Sequence, residues 1–327
     1  MRRALLSACA LVLLAVPALT ACSGDTEEAS ATSGEAVTVE HSYGTTTIEG
    51  TPERIVATSS QWLDALLELG IQPVGYYSAG SYGDDRGLYP WQTDVDPDAV
   101  ALGPAIEAGQ MPVEEIAALE PDLVLGAWQI TSQGVYDRIS QVAPTVGPLG
   151  ETGVDRWDEQ VRVLGEIFGR TDEAEGIIAD RNADIEEAAL PGLEGRTAVL
   201  AQYLMSDQQF VVVANPDDGA ALLFSQLGMV MPPELVAEGE GKPFGRVMLA
   251  PERVDALAAD LLVILPNGGT EQDLMALPGF DLLPAVTGGG LAVVDYPTVV
   301  AFNTPSSLSI GYALDAIRPQ LETVGGA

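Results

Sequence analysis

Residues 114–125 read Glu-Glu-Ile-Ala-Ala-Leu-Glu-Pro-Asp-Leu-Val-Leu, and residues 252–263 read Glu-Arg-Val-Asp-Ala-Leu-Ala-Ala-Asp-Leu-Leu-Val. Superimposed, Glu114 falls on Glu252, Leu119 on Leu257, Asp122 on Asp260 and Leu123 on Leu261. Ile116 faces Val254, and Ala118 faces Ala256. Each copy reads as a short helix, a break, and a short strand apolar enough to be buried on both faces. The same unit in each half of the chain marks an internal duplication of α/β architecture.

Working outward from the first copy, Val37–Val39 and Thr45–Ile48 alternate as a hairpin around Tyr43-Gly44. Arg54–Ala57 and Pro73–Tyr76 read as strands, with a helix over Trp62–Leu69 between them. A loop rich in glycine and aromatics follows, Tyr77–Trp91. Helix Val113–Leu119 and strand Leu123–Gly126 are the repeat unit; helix Gly134–Val142 leads on to Pro144–Val146. Residues Arg156–Leu190 carry no strand signal. Trp157, Val161, Leu164, Ile167 and Phe168, then Ile177, Ile178 and Ile185, recur at helical spacing, as one long amphipathic helix or two joined. The plan then restarts: strands Thr197–Tyr203 and Gln209–Val213, helix Ala220–Leu227, helix Pro251–Leu257, strands Leu261–Leu265 and Leu291–Asp295, and a closing helix Ser306–Ile317. Alternating strands and helices place the chain in the α/β class. The reading is two similar α/β lobes joined by a long linker helix, with a ligand cleft between them. The boundaries expected are 37–152 for the N-terminal lobe, 153–191 for the linker and 192–327 for the C-terminal lobe.

The N-terminus reads as a targeting segment. Arg2-Arg3 precedes an apolar stretch, Ala4–Ala18, that is shorter than the ~20 residues a membrane helix needs. It ends in Leu19-Thr20-Ala21-Cys22, which resembles a bacterial lipobox; there the cysteine is acylated and becomes the new N-terminus. Residues 1–21 are thus expected to be a lipoprotein signal peptide, with Cys22 the lipidation site. Cys9 leaves with the signal, so Cys22 has no disulfide partner, and lipidation accounts for the odd thiol. Residues 22–36 are small, polar and acidic, and read as a flexible tether. The protein is therefore expected outside the cytoplasm, held to the cell membrane by its lipid alone. The net charge of −34 argues against nucleic acid, whose phosphates it would repel.

With these elements in place, the chain resembles the substrate-binding proteins of iron–siderophore and cobalamin ABC importers, the ferric-hydroxamate branch most closely. In the first lobe the resemblance rests on His41–Ile48, Pro52–Val56, Leu63–Leu66 with Leu69-Gly70, Pro73–Gly75, Glu114–Gly126 and Val142–Val146. In the second it rests on Leu277–Phe280, Leu283–Val286 and Asn303–Ser309. It implies a monomeric, helix-linked bilobal protein that captures a ferric siderophore and delivers it to a permease dimer with a cytoplasmic ATPase. No permanently bound cofactor is implied. It also implies that one acidic residue on each lobe docks onto the permease; by motif these are Glu114 and Glu252, with Glu115 a neighbouring candidate.

The ligand class follows from composition. The only histidine is His41, so no His-rich set exists to hold a bare metal ion, and iron is expected to arrive chelated. A tris-catecholate carries three negative charges and wants a basic pocket. A tris-hydroxamate is neutral or cationic and suits an acidic chain with few arginines near the cleft. Catecholate siderophores, cobalamin and haem are the alternatives within the family. Ligand contacts are expected from loops after strands: Trp62, Arg86, Tyr89, Trp91 and Trp128 in the first lobe, and Tyr203, Phe244, Arg246, Asn267 and Phe302 in the second. The resemblance places a siderophore-contacting arginine in the loop holding Arg86. An enzyme is not expected: there is no Gly-x-Ser-x-Gly elbow, and the glycine runs at 268–269 and 288–290 lack the Lys-Ser/Thr of a phosphate loop. A surface lipoprotein is the remaining alternative from another class.

Overall fold

The computed structural model describes residues 36–150 and 154–326; the signal segment, Cys22 and the tether up to residue 35 lie outside the described residues. Contacts divide the chain into Met1–Ser33 and Gly34–Ala327, and the account below concerns the second unit. A hairpin of β1 (Val37–His41) and β2 (Gly44–Ile48) opens it. The N-lobe sheet is built from β3 (Ile55–Ala57), β4 (Gly75–Tyr76), β5 (Val100–Ala101), β6 (Leu123–Leu125) and β7 (Thr145–Val146). All five strands are parallel, in the order β5-β4-β3-β6-β7. Helices α1 (Ser60–Glu68), α2 (Pro104–Glu107), α3 (Val113–Ala118) and α4 (Gln133–Ile139) cover its faces.

The strands are short but fully buried. In β3, Ile55 and Ala57 turn to one core and Val56 to the other; in β6, Leu123 and Leu125 oppose Val124 in the same way. Burying one such aliphatic side chain contributes about 1.5–3 kcal/mol. The sole histidine joins the hairpin to this lobe: buried His41 hydrogen-bonds Thr46 Oγ1 (3.0 Å) and Tyr136 OH (3.2 Å) through Nε2, and burial lowers its pKa.

Helices α5 (Trp157–Ile167) and α6 (Thr171–Ala188) follow, separated at Gly169, where φ is +64°. The linker stretch is therefore two helices rather than one. α6 serves both cores: Ala174 and Ile178 pack into the N-lobe, Ile185 and Ala188 into the C-lobe. At 1.5 Å per residue its 18 residues span about 27 Å, a stiff spacer between two sheets.

The C-lobe sheet contains β8 (Ala198–Leu204), β9 (Gln209–Val213), β10 (Arg246–Leu249), β11 (Leu261–Asn267) and β12 (Leu291–Val293), in the order β10-β9-β8-β11-β12. β9 runs antiparallel to both its neighbours, so this sheet is mixed. Helices α7 (Gly219–Gln226), α8 (Pro233–Gly239), α9 (Glu271–Met275), α10 (Pro284–Gly288), α11 (Tyr296–Asn303) and α12 (Ser309–Gly325) complete the lobe. Two expectations are corrected. Pro251–Leu257 is a 3-10 segment kinked at Arg253, not an α-helix. Arg246 is no loop residue: it begins β10, a strand the sequence pattern did not single out.

The repeated unit does the same structural work in both lobes. Asp122 accepts hydrogen bonds from the backbone N–H of Glu53 and of Arg54 (both 2.8 Å), where the chain turns into β3. Asp260 accepts from the N–H and hydroxyl of Thr197 (both 2.8 Å), where the chain turns into β8, and pairs with Arg196. Each aspartate ties the start of its own strand to the start of the neighbouring parallel one. In the first copy the corner also holds Glu120 at φ 47°, which costs a non-glycine residue about 1–2 kcal/mol. The Arg54 guanidinium offsets this by gripping the carbonyls of Leu119 and Glu120.

The lobes meet along α1. Asp64, fully buried, accepts from Trp91 Nε1 (2.8 Å) and Gln92 Nε2 (2.5 Å) of the loop after β4, and from the Ser306 hydroxyl of the C-lobe. Gln61 Nε2 donates to the carbonyls of Asp155 (3.2 Å) and Pro305 (2.7 Å). Burial is the main cause that pushes the Asp64 carboxyl up to about 7, with Glu68 adding to it, while the three donors pull the other way. Because the folded protein binds this proton more tightly than the unfolded chain, the stabilisation is full below about pH 4. It is lost as pH rises through 7, by an amount on the order of a few kcal/mol. Asp64→Asn carries no such penalty. The thermal midpoint of wild type should therefore fall relative to Asp64→Asn between pH 5 and pH 8 in scanning calorimetry; a constant gap across that range would contradict the buried, proton-binding carboxyl.

Candidate functional site

The seam between the lobes is built from aromatic contacts on one side and a cavity on the other. Tyr82, in the loop after β4, stacks on Tyr296 at the start of α11, with ring centroids 3.6 Å apart and planes 14° from parallel. Burial, with the neighbouring Tyr82 phenol, raises the Tyr296 pKa. Trp91 stacks on Tyr89 (4.8 Å) and meets Tyr312 of α12 at 5.1 Å. Aromatic pairs of this kind add about 0.5–1.5 kcal/mol each beyond the area they bury.

A cavity of about 430 Å³ lies between the lobes. Gly150, Asp155, Arg156, Trp157, Asp158 and Glu159 form one wall, and Asp217, Gly219, Leu222, Gln226, Pro305 and Ile310 the other. Local sequence explains the second wall. Asn215-Pro-Asp-Asp-Gly219 makes a turn that ends in the N-cap Asp218, whose Oδ1 accepts from Ala220 N (3.1 Å) and starts α7. Only glycine fits at 219: a Cβ there would lie 2.5 Å from Pro305 Cδ. On the first wall Asp155 accepts from the N–H of Leu149 (2.8 Å) and Gly150 (3.1 Å), and burial raises its pKa. Arg156 pairs with Asp158 and Glu159.

Arg246 stands beside this cavity. Its Nη1 donates to Asp218 Oδ2 (2.7 Å) and its Nη2 to Asn303 Oδ1 (3.1 Å). The Asp218 side chain is almost wholly buried and the arginine three-quarters so. The Asn303 carbonyl oxygen lies against Gly219, so the cluster and the cavity wall are continuous.

None of the ten expected ligand residues is among the described residues that line the cavity; Arg246 approaches its wall through Asp218 and Asn303. Trp62 is 0 % exposed, with Nε1 donating to the Gly126 carbonyl (2.8 Å); it locks α1 to the end of β6 rather than lining a cleft. Phe302 is 0 % exposed and packs on Phe224, and Tyr203 is buried against Phe210. Trp62 follows β3, Tyr203 lies near the end of β8 and Phe302 near the end of α11, but each also fits a core face, and the core takes it. Tyr89 is buried under Trp91, and Trp91 belongs to the seam, where it serves Asp64. Arg86 spends its guanidinium on the carbonyls of Val95 (2.9 Å) and Asp96 (2.6 Å), stapling its own loop. It lines a second cavity of about 460 Å³, confined to that loop. Trp128 is 41 % exposed and covers Gly109. Asn267 ends β11 and donates to Gln202 Oε1 (3.3 Å). Phe244 occupies the 3-10 turn Pro243–Gly245.

Glu114 and Glu252 are both exposed, at the first turns of α3 and of the 3-10 segment. Glu115 is engaged within its lobe, accepting from Gly103 N (2.7 Å). Sequence reasoning missed Asp64, Tyr82, Trp157, Asp218 and Tyr296. A signal existed for Asp218, an N-cap aspartate before an apolar helix. None existed for the others, whose partners are distant in sequence.

Among the described residues, no helix is long and apolar enough to cross a membrane. Comparison with known proteins gives a consistent picture. The chain is 28 % identical over 230 residues to the probable siderophore-binding lipoprotein YfiY of Bacillus subtilis (strain 168), covering 68 % of this chain and 67 % of that one. It is 26 % identical over 267 residues to the iron(3+)-hydroxamate-binding protein YxeB of the same organism, covering 78 % and 76 %. A periplasmic solute binding protein from Mycobacterium smegmatis superposes with a TM-score of 0.71 at 25 % identity, covering 89 % of this chain and 99 % of that one. A family model described as "Periplasmic binding protein" matches residues 55–296. With both sheets and α6 inside that match, the chain belongs to the periplasmic binding protein family.

Proposed function

We propose that the protein captures a neutral ferric siderophore of the hydroxamate type between its lobes and hands it to an ABC importer. In this reading it is a monomer held at the outer face of the cell membrane by a lipid on Cys22, with lobes at 37–152 and 192–327. The observation that carries the hydroxamate reading is the charge at the interlobe cavity. Arg246 is balanced by Asp218, Arg156 by Asp158 and Glu159, and Asp155 and Asp217 add further carboxyls to the walls. Three hydroxamate monoanions on Fe³⁺ sum to zero charge, while three catecholate dianions leave −3, which these walls would repel. The name of YxeB gives a hydroxamate ligand, and that of YfiY a siderophore. Exposed Glu114 and Glu252, at matching places in a duplicated fold, suit docking onto a two-fold permease, where rim charges orient the encounter.

Three outcomes check this reading. Tryptophan fluorescence of the purified chain should respond to ferrichrome at sub-micromolar concentration, and Arg246→Ala should weaken that binding at least tenfold. Silence toward ferrichrome together with a response to ferric enterobactin, haem or cobalamin would reassign the ligand. Glu114→Ala combined with Glu252→Ala should leave ferrichrome affinity intact while lowering ⁵⁵Fe uptake by cells several-fold; normal uptake removes the docking role. Cys22→Ala should release the protein from the membrane fraction and abolish palmitate labelling, and continued labelling would exclude acylation at that cysteine.

A further inference from the structure

The Arg246 cluster suggests how chelate charge is selected, on the reading that Arg246 meets the ligand. An arginine at a binding cavity ordinarily favours anions, through its charge and its forked donors. Here the fork is shared between Asp218 Oδ2 (2.7 Å) and the uncharged Asn303 Oδ1 (3.1 Å). Asp218 is no mobile surface partner. Its side chain is 8 % exposed, and its other oxygen caps α7 through Ala220 N. Swinging it away would uncap the helix and strand a carboxylate in a buried setting, so the arginine's charge is compensated permanently.

We propose that Asp218 is a specificity-determining residue: it cancels the charge of Arg246, so that the site takes neutral ferric chelates and disfavours anionic ones. The cavity itself adds Asp155 and Asp217 on opposite walls, and Arg156 on the first wall carries its own carboxylate partners.

Asp218→Asn removes one negative charge while keeping the cap. Its single amide oxygen can still accept from Ala220 N and start α7, while the amide nitrogen takes the place of the oxygen that accepted from Arg246, so the guanidinium loses its carboxylate partner and keeps Asn303. Binding of ferrichrome and of ferric enterobactin is measured by fluorescence quenching on the full chain, wild type and variant, at 0.05 M and 0.5 M KCl. The expected result is a gain of at least tenfold for the trianionic enterobactin complex, with ferrichrome changed less than threefold. The gain should shrink at high salt, as screening of an unmasked charge requires. A purely structural role for Asp218 would move both chelates together and show no salt dependence; that outcome overturns the inference while leaving the hydroxamate reading standing. A wild type that binds neither chelate overturns both. If Asp218→Asn fails to fold, Asp218→Ser, which also keeps a capping oxygen without the charge, answers the same question by the same ratio.

Discussion

One buried carboxylate holds the two lobes in register. Asp64 lies on the first helix of the N-lobe, yet its hydrogen-bond donors come from a loop and from the opposite lobe. A carboxylate removed from water must be satisfied or neutralised, because an unpaired buried charge costs several kcal/mol. Trp91, Gln92 and Ser306 are thereby fixed relative to α1, and everything attached to them inherits that placement. Trp91 carries Tyr89 and Tyr312 with it; Ser306 fixes the turn whose Pro305 meets Gln61 and backs Gly219. The cavity walls and the seam are consequences of that constraint, together with the stiff span of α6.

The fold was legible because its signals are local. The repeated helix-to-strand unit, the alternation of strands and helices, and the strand-free stretch at 156–190 all rest on spacing within a dozen residues, where periodicity speaks directly. What spacing could not supply was the antiparallel course of β9 or the existence of β10. Strand direction depends on pairing partners distant in the chain, and Arg246–Leu249 is too short to announce itself. The site was less legible for the same reason. Trp62, Tyr203 and Phe302 were expected in the cleft because large aromatics after strands suit ligands. The same side chains fill cores, and only the packed structure separates the two uses. Asp64 read as one polar position on an amphipathic helix; its importance comes from residues 27 to 242 positions away.

The duplication is symmetric where it bears structure and asymmetric at the cavity. Asp122 and Asp260 perform one task, joining adjacent parallel strands at their starts, and neither is free to change without loosening its sheet. Glu114 and Glu252, at the opposite end of the same unit, stay exposed in both copies. The lobes diverge at the cavity. The first wall comes from Gly150 and the turn leading into α5, whereas the C-lobe wall comes from the turn after the reversed strand β9, from α7 and from Pro305 and Ile310. Reversing β9 lets its following turn reach α7 directly, which is how Asp218 comes to cap that helix and face Arg246 across from Val213. Charge follows the same division: Glu114 and Glu252 stay exposed, and next to the cavity Arg156 and Arg246 are each held to carboxylates. Under the proposed capture role, this partition leaves exposed acids for a basic permease surface and paired charges for the ligand.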